Sequence, residues 1–119
     1  QPIKVFNNGR MSRDFTYIDD VTSAVATAVG MPADAPGDHC IYNVGNNRPE
    51  TLLDFIATLE RALGRTAIKQ MAPMQVGDVL STYADIEATR RRFGFAPKTP
   101  ISEGIPRFVA WYREYHGLA

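Results

Sequence analysis

The stretch "RDFTYIDDVTSAVATAVG", residues 13–30, changes its apolar period part-way along. Residues 15–18 are rich in β-branched and aromatic types, which favours a β-strand. From Val21 onward the apolar residues recur every three or four positions, as on one face of a helix, until the glycine that ends the stretch. Asp19 or Asp20 then stands where a helix is capped. The stretch predicts a strand that runs into a capped helix.

The rest of the chain predicts further short elements of both kinds. A helix is expected from Thr51 to Gly64 and another from Asp85 to Gly94, because each apolar run has a capping residue before it and a glycine after it. Strands or extended segments are expected at residues 2–6, 40–44, 67–71 and 80–84, with a turn at residues 7–9. This order predicts an α/β fold that is partial, with short strands and about four helices.

The last helix carries a conflicting signal. Thr99 and Pro100 have the character of an N-cap and a first helical residue, and an apolar face follows them. Pro106 lies inside the same run, where a proline removes a backbone hydrogen bond. We therefore expect this helix either to bend or to start later.

Charge and cysteine content exclude several classes of function. Thirteen basic residues balance thirteen acidic ones, so the chain lacks the positive field that draws proteins to nucleic acid. The single cysteine, Cys40, lies in an apolar run and is expected to be a small core residue. His39 and His116 show no metal-ligand spacing. No run is apolar for long enough to span a membrane, so we expect a cytoplasmic chain with no metal, membrane or nucleic-acid partner.

The motifs that mark common active sites are absent from the sequence. It contains no GxGxxG, Walker A loop, GxSxG or HExxH, and no tyrosine is followed four residues later by a lysine. The residues alone therefore predict an α/β domain, or a piece of one, without a catalytic group. Because the chain opens without methionine and soon enters a predicted strand, we expect it to come from inside a longer protein.

Three segments nevertheless resemble one enzyme family in order and spacing. They are "IKVFNNGRMSRDFTYIDDV", "YNVGNNRPETLLDFIATLERALG" and "MQVGDVLSTYADIEATRRRFGFAPKTPISEGI" with the "FVAWYREY" that follows. Together they resemble the C-terminal part of NAD-dependent nucleotide-sugar epimerases and dehydratases, which are extended short-chain dehydrogenase/reductases. The third segment is most similar to that of UDP-glucuronate 4-epimerases.

The resemblance implies that five residues hold the nucleotide part of a substrate. Arg13 matches the family arginine that reaches the UDP diphosphate, and Asp78 matches the carboxylate that receives the uridine ribose hydroxyls. Lys4 and Phe6 match the strand beside the uracil, where contact is largely through the backbone. Gln75 stands where arginine is usual, so a second phosphate cation is not assumed there. None of the five is expected to be catalytic or to bind the cofactor.

Elementary chemistry is compatible with these binding roles for Arg13 and Asp78, and it also leaves purely structural roles open. Alternation along a strand puts Arg13 and Asp14 on opposite faces, so the guanidinium need not be neutralised by its neighbour. Its planar fork of donors suits a diphosphate, and a carboxylate can accept from both hydroxyls of a ribose. The alternatives are a surface or ion-paired arginine for Arg13 and an ordinary Gly-Asp turn for Asp78.

Other polar and aromatic residues near these segments are expected to be structural. Asp20 and Asp85 are assigned to helix capping. Tyr17, Tyr42 and Tyr83 are assigned to the core or to an interface rather than to acid–base chemistry.

As a whole, the resemblance implies that residues 1–119 are the substrate-binding region of a UDP-sugar 4-epimerase. NAD and the catalytic groups would belong to a missing N-terminal Rossmann domain. The expected partners of this region are therefore that domain and the UDP-sugar. The chain alone is expected to be inactive and to self-associate through exposed apolar edges, and the intact enzyme is expected to be a homodimer. The alternatives are a fragment of a UDP-glucuronate decarboxylase or of a sugar-nucleotide 4,6-dehydratase, or a non-catalytic dimerisation module.

Overall fold

The computed structural model describes residues 1–32 and 39–118. Within them lie four helices, which are α1 (Ile18–Gly30), α2 (Leu52–Leu63), α3 (Glu87–Phe93) and α4 (Ile101–Tyr115). The strands in the same residues are β1 (Ile3–Val5), β2 (Ser12–Asp14), β3 (Pro49–Thr51) and β4 (Lys69–Met71), and a 3₁₀ turn covers Phe6–Gly9. The predicted α/β fold with short strands and about four helices is confirmed.

The strands form two small sheets. β1 pairs with β4 in parallel, with Lys4 opposite Gln70, and β2 pairs with β3 in the antiparallel sense, with Arg13 opposite Glu50. A third segment runs beside β2, because the Ser12 amide donates to the carbonyl of residue 80 at 2.9 Å and the Ser12 carbonyl accepts from the amide of residue 82 at 3.2 Å. β2 therefore lies between β3 and the segment at residues 80–82.

The predicted boundary between strand and helix at residues 15–18 is wrong. The strand ends at Asp14, and α1 begins at Ile18 with Tyr17 as its N-cap and no side-chain cap. The carboxylate of Asp20 is buried and accepts from the backbone amides of Lys98 and Thr99 at 3.1 Å each. Asp20 therefore ties α1 to the segment that leads into α4, a role that local sequence does not reveal.

The strand predicted at residues 40–44 is also wrong, as is the buried position predicted for Cys40. These residues have no regular structure, Cys40 is exposed, and 92% of the Ile41 side chain is accessible. A strand needs a partner for its backbone groups, and none of the strands within the described ranges pairs with this run. The extended segment predicted at residues 80–84 makes one isolated bridge, between Ser81 and Ser12.

The ends of α2 and α3 follow the prediction closely. The Thr51 hydroxyl accepts from the Asp54 amide at 3.1 Å at the start of α2, and Gly64 ends the helix in the left-handed region. α3 starts at Glu87, whose amide donates to the Asp85 carboxylate at 3.0 Å. The N-cap position itself is Ile86, so Asp85 supports the helix from one residue further out.

α4 starts one residue later than predicted and continues through Pro106. Pro100 is its N-cap, and the helix runs on without interruption to Tyr115. Of the two outcomes expected from Pro106, a helix start beyond the proline is therefore wrong.

One cluster of the apolar core lies where α1 meets α3. It contains the buried residues Ala24, Ile86 and Phe95, with Phe93 packed against them. The other buried apolar residues in the described ranges are Val5, Met11, Ile56, Ile105 and Val109. Tyr42, which is half-buried, contacts Phe93 with ring centroids 4.5 Å apart. The predicted packing role is thus confirmed for Tyr42. Tyr17 is half-buried like Tyr42. Tyr83, in contrast, is 63% exposed.

Candidate functional site

The structure brings Arg13 and Asp78, two of the five predicted binding residues, into direct contact. Arg13 Nη2 donates to Asp78 Oδ1 at 2.6 Å. The two side chains remain 25% and 31% exposed, respectively. A cation and an anion thus lie side by side at a surface that solvent reaches.

Backbone pairing explains why these side chains meet. Arg13 is the central residue of β2, and its Nη1 donates to the Ser12 carbonyl at 2.8 Å. Asp78 closes a turn in which its amide donates to the Gln75 carbonyl at 3.2 Å, and Gly77 supplies the positive φ of 85° within that turn. Residues 80–82 then run beside Ser12, which keeps Asp78 within reach of the long Arg13 side chain.

The pair still has hydrogen-bonding capacity for a ligand. A guanidinium carries five N–H donors, and the contacts to Asp78 and Ser12 use two nitrogens, one bond each. Asp78 Oδ1 also accepts from the Val79 amide at 2.8 Å, while Oδ2 accepts no hydrogen bond from the described residues. Arg13 can therefore reach an anion while it stays paired, and Asp78 keeps one oxygen for a hydroxyl donor. The contact also fits the alternative in which Arg13 is an ion-paired surface arginine without a ligand.

Within the described residues, no side chain of the other three predicted residues hydrogen-bonds to the pair. Lys4 is exposed on β1, and Phe6 is half-buried just after it. The β1 end is tied to the chain after β4, since the Ala72 amide donates to the Val5 carbonyl at 3.0 Å. Gln75 follows three residues later with an exposed side chain. Its contact to the site is through its carbonyl alone.

Asp14 is a supporting residue that the sequence did not single out. Its carboxylate accepts from the amides of Asn46, Asn47 and Ala84, each at 3.0 Å. Strand alternation indicated that Asp14 faces away from Arg13, but no local signal showed what lies on that side.

A separate cavity of about 570 Å³ lies where α2 and α4 meet the start of α1. None of the residues that line it is charged, and the stacked rings of Phe15 and Phe55, 4.1 Å apart, form part of its wall. Such a lining does not suit a diphosphate.

No group of His, Cys, Asp or Glu in residues 1–32 and 39–118 could hold a metal ion. In the same part of the chain, no helix has the length and apolar character needed to cross a membrane.

Comparison with known proteins relates this geometry to one family. The "NAD dependent epimerase/dehydratase family" matches residues 1–45. A probable UDP-glucuronate 4-epimerase of Rhizobium meliloti is 38% identical over all of this chain. The chain is thus similar to proteins of the NAD-dependent epimerase/dehydratase family. It spans about two fifths of that relative, since the match covers 39% of the relative's length.

Solved enzyme structures share this fold. UDP-glucuronic acid 4-epimerase from Bacillus cereus, in complex with UDP-glucuronic acid and NAD, is 27% identical with a TM-score of 0.83, covering 97% of this chain and 36% of that one. A dTDP-glucose 4,6-dehydratase from Bacillus anthracis, in complex with NAD, is 20% identical with a TM-score of 0.77, covering 98% and 36%. The second likeness concerns the fold alone.

Proposed function

We propose that residues 1–119 are the C-terminal, nucleotide-sugar-binding region of an NAD-dependent UDP-sugar 4-epimerase, with UDP-glucuronate as its substrate. The names of the Rhizobium relative and of the Bacillus cereus structure support this substrate. The reaction is assigned to the whole enzyme. This chain, which spans about two fifths of the Rhizobium relative, supplies the anchor for the nucleotide.

The observation that carries the proposal is the contact between Arg13 and Asp78. The free guanidinium donors of Arg13 bind the diphosphate, because a planar fork of N–H groups matches phosphate oxygens. The free oxygen of Asp78 accepts from the ribose hydroxyls. Lys4 and Phe6 border the uracil through their backbone, and the uncharged Gln75 leaves Arg13 as the principal phosphate ligand.

A 4-epimerase needs such an anchor. Inversion at C4 requires that the sugar turn between loss and return of its hydride, while the nucleotide stays in place. NAD, when bound, supplies the hydride exchange, and we assign it to a Rossmann domain in the part of the relatives that this chain does not span. The described residues therefore position the substrate and perform no chemical step, and the chain alone is inactive.

Titration of UDP into the ¹⁵N-labelled chain tests the anchoring role. Binding should shift the amides of Arg13, Asp78 and Val79 first, because Val79 donates to the Asp78 carboxylate. UDP-glucuronate should give the same pattern, since the nucleotide is the part that is held. Shifts confined to the apolar cavity near Phe15 and Phe55 would contradict the proposal.

The fold alone does not separate an epimerase from a dehydratase, because the Bacillus anthracis dehydratase shares it. A UDP-glucuronate decarboxylase is the second candidate within the family. Product analysis with the intact enzyme distinguishes the three reactions. The epimerase product keeps the mass of UDP-glucuronate and the decarboxylase product has lost carbon dioxide. A 4,6-dehydratase instead removes water from a sugar nucleotide that carries a C6 hydroxyl.

A second class of function is favoured by the exposed aromatic face of α4. Phe108, Trp111 and Tyr115 are 49%, 54% and 72% exposed, respectively, and they recur at helical spacing. This face suits a dimerisation role, within a homodimeric enzyme or in the chain alone. A dimer that does not bind UDP would favour a non-catalytic interaction module.

A further inference from the structure

We propose that Asp14 is a positioning residue that holds the segment carrying Asp78 against the strand carrying Arg13. The inference rests on the proposed anchoring role of that pair and adds a residue that does not touch the ligand. Asp14 directly follows Arg13 in β2 and points to the other side of the strand.

The contacts of the Asp14 carboxylate join three separate parts of the chain. Oδ1 accepts from the Asn46 amide, and Oδ2 accepts from the amides of Asn47 and Ala84, all at 3.0 Å. Asn46 and Asn47 lie in the loop that enters β3. Ala84 lies six residues after Asp78 and two residues beyond the segment at residues 80–82 that runs beside β2.

Neighbouring contacts show that this junction is closely packed. The Asp14 amide donates to the Thr82 hydroxyl at 3.2 Å, so both the backbone and the side chain of Asp14 bind the same segment. A Cβ on Gly45 would lie 2.3 Å from the Ala84 Cβ and 3.1 Å from Asp14 Oδ2. The loop can approach Asp14 this closely because Gly45 has no side chain.

This packing restrains the position of Asp78 relative to Arg13. Asp78 is held by the turn before it and by the segment after it, and Asp14 fixes the end of that segment. If the segment slides or lifts from β2, Asp78 moves away from Arg13, since the Arg13 side chain is itself fixed to the Ser12 carbonyl. Asp14 thereby sets the distance between the phosphate ligand and the ribose ligand.

The variant Asp14→Asn tests this role. Three amide donors require acceptors, and an asparagine side chain offers one oxygen and turns an N–H₂ group toward the other donors. Asp20→Asn is a matched control, because the Asp20 carboxylate also accepts two distant backbone amides but joins α1 to the segment before α4. Both variants lose stability by the same mechanism, and Asp14→Asn alone disturbs the pair.

Two measurements on the complete chain separate positioning from folding. The first is hydrogen exchange of the Val79 amide, which reports the Asp78 carboxylate without any ligand. The second is the Kd for UDP. In Asp14→Asn we expect exchange about tenfold faster and UDP binding about tenfold weaker, as for a lost charged hydrogen bond. In Asp20→Asn both should stay within about twofold of the wild type.

If Asp14→Asn does not fold, Asp14→Glu keeps the acceptor charge, displaces it by one methylene and should show the same two effects in weaker form. Wild-type Val79 exchange and wild-type UDP affinity in the folded variant would overturn the inference. A wild-type chain that does not bind UDP, but whose Val79 exchange still depends on Asp14 and not on Asp20, would support positioning and refute the anchoring function.

Discussion

Arg13 and Asp78 are 65 positions apart in the sequence, yet Arg13 Nη2 and Asp78 Oδ1 lie 2.6 Å apart. The contact joins β2 to the turn that follows β4. Because both side chains are still partly exposed, 25% and 31%, a ligand from solvent meets a cation and an anion together. UDP suits such a pair, since its diphosphate is anionic and its ribose carries hydroxyl donors.

Arg13→Lys tests the phosphate role by keeping the charge and removing the planar fork. We expect UDP to bind about ten- to a hundredfold more weakly, because an ammonium cannot contact Ser12, Asp78 and a phosphate from fixed directions. Isothermal titration calorimetry measures this loss. Arg48→Lys is the matched control, since Arg48 is ion-paired with Glu50 at 3.4 Å and lies outside the pair. Equal losses in the two variants would argue against a specific phosphate contact.

Asp78→Asn should affect binding much more than stability. Partly exposed ion pairs contribute about 0–1 kcal/mol, so the free energy of unfolding should change within that range. UDP affinity should fall about tenfold, since an acceptor for the ribose hydroxyls is lost. Urea denaturation and UDP titration give the two values. Asp85→Asn serves as a control, because the Asp85 carboxylate also accepts one backbone amide, at α3, and lies outside the pair. A large fall in stability with unchanged affinity would assign Asp78 to the turn alone.

Gly45→Ala should destabilise the junction around Asp14. The new methyl group would lie 2.3 Å from the Ala84 Cβ, and overpacking of this kind costs about 1–3 kcal/mol. Adding Ala84→Gly should recover part of the loss in a double-mutant cycle, which identifies the clash as the cause. Gly30→Ala, where nothing lies within 4 Å, should be neutral or slightly stabilising. Denaturant unfolding of Gly45→Ala, Ala84→Gly, the double variant and Gly30→Ala tests this order.

The helices could be predicted from the sequence because their signals are local. Thr51 and Asp54 are three residues apart, and their cap forms as expected. Gly64 and Gly94 end α2 and α3 in the left-handed region, at φ values of 67° and 65°. Apolar spacing and these end signals lie within a few residues of one another, so no distant partner is needed to find them.

The strands and the site depend on distant partners, and there the prediction is only partly right. β2 forms at Ser12–Asp14 because β3 and residues 80–82 supply its hydrogen bonds, although residues 15–18 have the stronger strand propensity. Asp20 resembles a local cap, but its amide partners lie 78 and 79 positions away. The pairing of Arg13 with Asp78 was not predicted for the same reason. Their roles in binding UDP stay predictions.

The contact between Glu60 and Lys69 should make stability depend on pH in the acid range. The Lys69 ammonium donates a hydrogen bond to Glu60, the Ala67 amide donates another at 2.8 Å, and together they lower the pKa of Glu60 below its ordinary value of 4.5. A lowered pKa stabilises the folded state above pH 4.5, and this contribution is lost as the pH falls through the folded-state pKa.

Glu60→Gln provides the measurement. The difference in unfolding free energy between wild type and Glu60→Gln should be constant near neutral pH and shrink below about pH 4.5. Glu87→Gln is the control, because Glu87 lies 3.6 Å from Arg90 with both side chains about half exposed and such pairs contribute little. A Glu60 carboxyl that titrates above 4.5 by ¹³C NMR would contradict the assignment.

The exposed aromatic face of α4 should make the chain self-associate. Phe108, Trp111 and Tyr115 present neighbouring rings to solvent, with the rings of Trp111 and Tyr115 stacked at 5.4 Å. Contiguous apolar area exposed to water favours association, whereas single apolar side chains do not. Sedimentation velocity should therefore show species larger than a monomer as concentration rises.

Trp111→Ser with Tyr115→Ser should shift this equilibrium toward the monomer, because the substitutions remove the centre and one end of the face. Ile41→Ser is the control: Ile41 is 92% exposed but lies outside the helix, so removing one isolated side chain should leave the sedimentation profile unchanged. If wild type sediments as a monomer at every concentration, the face does not drive association. If Ile41→Ser alone produces monomer, the contact surface lies elsewhere and the aromatic residues of α4 serve another purpose.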